Sequence, residues 1–109
     1  MATSYKILGQ VSPSATTETD LYTVPASTQT VVSTLVVANR GATDATFRIT
    51  VTANGVATTS KDYIAYDVSC GANGINAFTF GLTMDAADKV RVYSSNANLS
   101  FSLFGSEIA

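Results

Sequence analysis

The chain has 109 residues, a net charge of −2 and only 13% charged residues, about half the usual share. That length holds one domain with one core, residues 1–109. The six basic residues (Lys6, Arg40, Arg48, Lys61, Lys89 and Arg91) are scattered, which argues against a nucleic-acid partner. No stretch approaches the roughly 18 apolar residues of a membrane-spanning helix, so no membrane partner is expected. The opening "MATSYKILGQVSPS" has no basic start followed by an apolar run, and no export signal is read there.

In chain order, strands are predicted over 4–11, 20–25, 29–39, 45–53, 61–68, 76–83, 88–94 and 98–104. Period-2 alternation carries most of them. "TFRITVT" sets Phe47, Ile49 and Val51 against Arg48, Thr50 and Thr52; "AFTFGLT" aligns Phe78, Phe80 and Leu82. "KVRVY" buries Val90 and Val92, and "NLSFSLF" buries Leu99, Phe101 and Leu103. Turn residues separate the runs at Asn39-Arg40-Gly41, Asn54-Gly55, Gly71 with Asn73-Gly74, and Ser94-Ser95-Asn96. Only "TMDAADKV" offers a turn of helix. About eight short antiparallel strands predict an all-β, single-domain sandwich with jelly-roll-like topology. An immunoglobulin-like sandwich is the alternative, weakened by the missing Trp and Cys pair.

Two strands break the alternation. In "TVVSTLVVA" parity places Val31, Leu35 and Val37 on one face and Val32 and Val36 on the other. In "DYIAYDV" it places Tyr63 and Ala65 opposite Ile64, Tyr66 and Val68. A strand covered by loops gives this pattern, and so does a second buried face made by another subunit. The second reading is preferred, and a homo-oligomer, a trimer in particular, is expected. At the carboxyl end Leu99, Phe101 and Leu103 fill the core. Phe104 falls on the other face, Gly105 permits a bend, and Ile108 is apolar. Val32, Val36, Tyr63, Tyr66, Phe104 and Ile108 are therefore the candidate interface residues.

Candidate chemistry is sparse. With no His and one Cys, the usual Ser–His and Cys–His dyads cannot be assembled. Asp85 and Asp88 fit turn capping better than a calcium loop. By strand parity, Asp62 and Asp67 face opposite ways. Cys70 reads as a structural, partly buried thiol, and "CGANG" lacks the lysine and serine of a phosphate-binding loop. The five tyrosines (Tyr5, Tyr22, Tyr63, Tyr66 and Tyr93) fit packing positions better than a sugar-stacking platform. No enzyme activity, no metal and no cofactor are expected.

The segment "LYTVPASTQTVVSTLVVANRGATDATFRITV", the opening "YKILGQVSPSATTETDLY" and the closing "ANLSFSLFGSEIA" together resemble a group of small β-rich virion proteins of tailed bacteriophages. The resemblance spans nearly the whole chain. It implies a structural protein of the particle, made in the host bacterial cytoplasm and resident in the virion. Its partners would be the major capsid protein or neck and tail proteins. A capsid decoration (cement) role is the leading expectation; a neck or tail-fibre part, or a receptor- or glycan-binding module, is the alternative. The resemblance carries over no functional residue.

Overall fold

The computed structural model describes residues 2–109. It is an all-β sandwich of nine strands: β1 (Thr3–Val11), β2 (Thr19–Thr23), β3 (Gln29–Asn39), β4 (Ala45–Thr52), β5 (Tyr63–Cys70), β6 (Ile75–Phe78), β7 (Leu82–Met84), β8 (Lys89–Ser94) and β9 (Leu99–Ile108). The first sheet runs β1-β9-β3-β6, with β7 also paired to β3; the second runs β2-β8-β4-β5. Every pairing is antiparallel. The two-sheet antiparallel sandwich is the one expected from the strand spacing, and successive strands mostly alternate between its sheets.

Alternating residues fill the space between the sheets. Phe47, Ile49, Val90, Val92, Leu99, Phe101 and Leu103 are essentially inaccessible. Phe47 meets Phe101 nearly edge to face, with centroids 6.1 Å apart, and lies 6.0 Å from Phe78. Such tilted contacts set the positive ring edge against a negative face and lock the two sheets in register. Cys70 is fully buried in the same core, and burial pushes its thiol pKa up. It is packed as a small apolar side chain.

Two of the expected strands change most. The run over 76–83 splits into β6 and β7, because the chain turns at Gly81 (φ 64°). The last strand continues past Phe104 to Ile108 as a central strand, paired with β1 on one side and β3 on the other. Gly105 lies inside this strand, and a Cβ there would collide with the Val31 carbonyl oxygen, so close approach demands glycine. Asn54-Gly55 does take left-handed backbone (φ 56° and 65°). Instead of a tight hairpin it starts a longer connection, with 3-10 turns at Ala53–Gly55 and Ser60–Asp62, that covers part of the second sheet.

Bulges overturn the parity assignments. Ser33 is an extra residue opposite the Gly105–Phe104 step of β9, so Val32 and Leu35 both point inward although they are three apart. In β5 two further shifts occur, and Asp67 adopts φ 51° within one of them. They bring Tyr63 and Tyr66 to the same side, with ring centroids 4.9 Å apart at 89°.

Candidate functional site

The structure divides the six candidate interface residues among three places. Val32 has no exposed surface and lies in the core, which removes it from any partner surface. Val36, Phe104 and Ile108 lie at outward positions of β3 and β9 on the first sheet. Tyr63 and Tyr66 lie together on the outer side of the second sheet. The two outer faces have opposite chemistry.

The outer face of the second sheet is charged, and its charges are satisfied locally. Arg48 Nε donates to Asp67 Oδ1 at 2.7 Å, and the guanidinium lies over both Tyr66 (4.3 Å) and Tyr93 (4.4 Å). Asp20 accepts from Lys89 at 2.7 Å and from Arg91 at 3.0 Å, and the Lys89 hydrogen bond leads in holding its carboxyl below the usual range. Arg91 also donates to the carbonyls of Val56 and Gly55, which fastens the long connection onto the sheet. Beside this network Thr58, Thr59, Ser60, Tyr63 and Tyr66 line an open cleft of about 450 Å³. Tyr66 is 56% exposed.

The outer face of the first sheet carries no charge at any outward strand position. Strand register puts Thr3, Tyr5 and Ile7 of β1 level with Ile108, Ser106 and Phe104 of β9. These in turn lie level with Gln29, Val31 and Thr34 of β3. Further along, Val36 and Ala38 pair with Ala77 and Ile75 of β6. Tyr5 is 84% exposed, Ile75 70%, Ile7 54% and Val31 40%. A shallow groove of about 320 Å³ crosses this face between Tyr5, Lys6, Val31, Ser33 and Phe104. Lys6, which also lines that groove, holds an inward register position and is paired with Glu107 at 2.6 Å.

Sequence reasoning misses Tyr5, Ile7 and Ile75, because a strand apolar on both faces is the wrong signal for them. In "TSYKI" the alternation itself is visible, with Tyr5 and Ile7 opposite Ser4 and Lys6. Nothing in it tells the core-facing side from the outer side.

The remaining candidates have local structural roles. Asp88 accepts from the backbone N–H groups of Asn54 and Asp85, and Asp85 from that of Ala86, which is turn capping. Asp62 caps its own 3-10 turn through the Thr59 N–H and hydroxyl. Among the described residues, no three His, Cys, Asp or Glu side chains are grouped as metal ligands would be. No nucleophile, base and orienting group converge in either cleft.

No protein-family model matches the chain, and no curated protein matches its sequence. Solved structures do resemble it. A chain in the structure of infectious bursal disease virus, Gx strain, superimposes with a TM-score of 0.58 at 14% identity, over 97% of this chain and 32% of that one. A chain of the T13 particle of the same virus gives 0.54 at 15% identity, over 96% and 30%. The protein thus spans about a third of the length of these viral chains and shares a fold with that part of them. A pentameric capsid protein isolated from metagenomic phage sequences gives 0.41 at 22% identity, over 93% and 59%, too low to bear on the fold.

Proposed function

We propose that this protein is a non-enzymatic structural component of a tailed-bacteriophage particle, a capsid decoration (cement) protein that docks through the outer face of its first sheet. The carrying observation is that no outward strand position of this face is charged and several hold exposed apolar side chains, with Lys6 of its groove already paired to Glu107, while the opposite face has its charges paired within the chain. An uncharged sheet face costs little to desolvate, and repetition around a symmetric shell multiplies modest contacts into firm attachment. The resemblance to small virion proteins of tailed phages supports the same reading. So does a fold shared with chains of a virus particle. Synthesis in the host cytoplasm, residence in the virion and self-association belong to this proposal.

The test is add-back of purified protein to phage heads that lack it, with co-sedimentation as the readout. Binding by the native chain and its loss in Val31→Lys and Val36→Lys variants is the expected result. Binding that survives both charges overturns docking through this face. Binding to isolated tails or necks, and not heads, moves the role to a neck or tail-fibre part.

A second reading rests on a separate observation, the Tyr63–Tyr66 pair, with Tyr66 exposed, beside the Thr58–Ser60 hydroxyls. Tyrosine faces stack on sugar C–H groups, and hydroxyls exchange hydrogen bonds with sugar hydroxyls. With Arg48 already paired to Asp67, the cleft favours a neutral saccharide. Titration with neutral oligosaccharides, followed by NMR shifts at Tyr66 and their loss in Tyr66→Ala, tests a glycan-binding role. No shift with any sugar removes it.

A further inference from the structure

The sandwich has four sheet edges, and three of them are guarded. The β2 edge is five residues long and interrupted by a bulge at Leu21. The β5 edge carries two register shifts and the left-handed Asp67. The edge formed by β6 and β7 consists of pieces of four and three residues. Bulges, charges and short lengths are the usual devices that keep a sheet edge from pairing with another chain. β1 differs. From Thr3 to Ile7 it is regular, exposed and free of proline, and its single charge, Lys6, is engaged by Glu107.

The ladder fixes which backbone groups of β1 are free. Ala2 and Ala109 exchange both of their N–H···O=C bonds, at 2.8 and 2.9 Å. Antiparallel pairs alternate between bonded and non-bonded, so Ser4 and Lys6 are the next residues bonded to β9. Thr3, Tyr5 and Ile7 therefore turn their N–H and C=O groups to the open edge. Their side chains are the ones on the charge-free outer face.

We propose that this edge pairs with the same edge of a second copy, antiparallel and centred on Tyr5. Thr3 would then bond the second copy's Ile7, Tyr5 the second copy's Tyr5, and Ile7 the second copy's Thr3. Three mutually bonded pairs form, and no other register uses all three free residues of both chains before the bulge at Leu8 ends the regular segment. Lys6 lies across from Ser4, so no like charges meet. The twofold axis stands perpendicular to the sheet, so the two uncharged faces join into one surface of twice the area. Such isologous strand addition closes on itself as a dimer and does not propagate along this edge. It predicts an even number of chains in place of the trimer expected from the sequence. It does not depend on particle docking, and self-association of the purified chain is measured separately.

The experiment is sedimentation equilibrium of the full chain over a wide concentration range, on the native protein and on Tyr5→Pro, Tyr5→Lys and Tyr5→Phe. The native chain and Tyr5→Phe should approach twice the monomer mass at high concentration. Tyr5→Pro removes a donor that the fold does not use, and Tyr5→Lys sets two like charges opposite each other. Both should stay monomeric with unchanged circular dichroism. Tyr5 is exposed, so Tyr5→Lys keeps the test valid if the proline variant fails to fold. Tyr5→Cys should cross-link to a dimer on oxidation, because the native Cys70 is buried. A native monomer at every concentration, a limiting mass of three chains, or a dimer that persists in both Tyr5→Pro and Tyr5→Lys each overturns the proposal.

Discussion

The Tyr22 hydroxyl donates a hydrogen bond to the Glu107 carboxylate across 85 residues of sequence, joining β2 of one sheet to β9 of the other. Thr30 Oγ1 lies 2.7 Å from the same hydroxyl, and Lys6 pairs with Glu107 at 2.6 Å. Lys6 first, and Tyr22 second, hold the Glu107 carboxyl below its ordinary pKa. Burial first, and Glu107 second, push Tyr22 up to about 12. The cluster is a polar clasp between two sheets that enclose an apolar core, and it makes stability depend on pH at both ends of the scale.

On the acid side, Glu107 has a folded pKa below its unfolded one, as do Asp20 (through Lys89) and Asp62 (through the Thr59 N–H). A depressed carboxylate pKa means that the unfolded chain binds protons first. The stabilisation is complete above the unfolded carboxylate pKa and is lost as pH falls through the folded values. The melting temperature should be flat near neutrality and drop below about pH 4. Glu107→Gln should melt lower at pH 7 and show a shallower acid slope. An unchanged slope would assign the acid sensitivity to the other carboxylates alone.

On the alkaline side the sign reverses. Tyr22 has a raised folded pKa, so its contribution is complete below the unfolded value near 10 and is lost as pH rises towards about 12. Tyr22→Phe should abolish this alkaline component. At pH 7 it should cost about 1–3 kcal/mol, because Thr30 and Glu107 lose a buried partner. Urea unfolding at pH 7 and at high pH measures both effects.

The carboxyl-terminal strand shows how much of the fold can be read from sequence. Leu99, Phe101 and Leu103 are legible as core because strict alternation survives from 99 to 103. The continuation to Ile108 is not, since nothing local in "GSEIA" reveals that β1 and β3 flank it. Bulges hide the faces in the same way. Val32 and Val36 share parity yet lie on opposite sides of Ser33's extra residue, and Tyr63 and Tyr66 differ in parity yet touch. A bulge leaves no residue-type mark strong enough to read, although it reverses every side chain beyond it.

That central placement changes what a truncation should do. Sequence alone suggests that a cut after Gly105 leaves a folded domain with weakened assembly. Ser106, Glu107 and Ile108 are each flanked by both β1 and β3, and Glu107 also holds Tyr22 and Lys6. Their loss should destabilise the domain by at least about 3 kcal/mol, at roughly 1 kcal/mol per hydrogen bond lost. A cut after Ser102 also removes the buried Leu103 and should abolish folding. Circular dichroism melts of the two truncations check this, and an unchanged melt after the shorter deletion would mean that residues 106–108 add nothing to the fold.

Thr52 provides a test in the stabilising direction. It has no exposed surface, and its Oγ1 is a buried side-chain oxygen without a hydrogen-bond partner. An unpaired buried hydroxyl costs about 1–3 kcal/mol relative to a satisfied one. Valine has nearly the same shape, is favoured in strands and places a methyl group where the hydroxyl stood. Thr52→Val should therefore raise stability by about 1 kcal/mol. Thr30 is the matched control: it is equally buried, but its Oγ1 is bonded to the Tyr22 hydroxyl. Thr30→Val should lower stability by about 1 kcal/mol through the loss of that bond. The comparison separates hydroxyl satisfaction from strand propensity, because propensity alone predicts the same sign at both positions. Two gains in urea unfolding would make propensity the cause; a gain at 52 with a loss at 30 makes it the hydrogen bond.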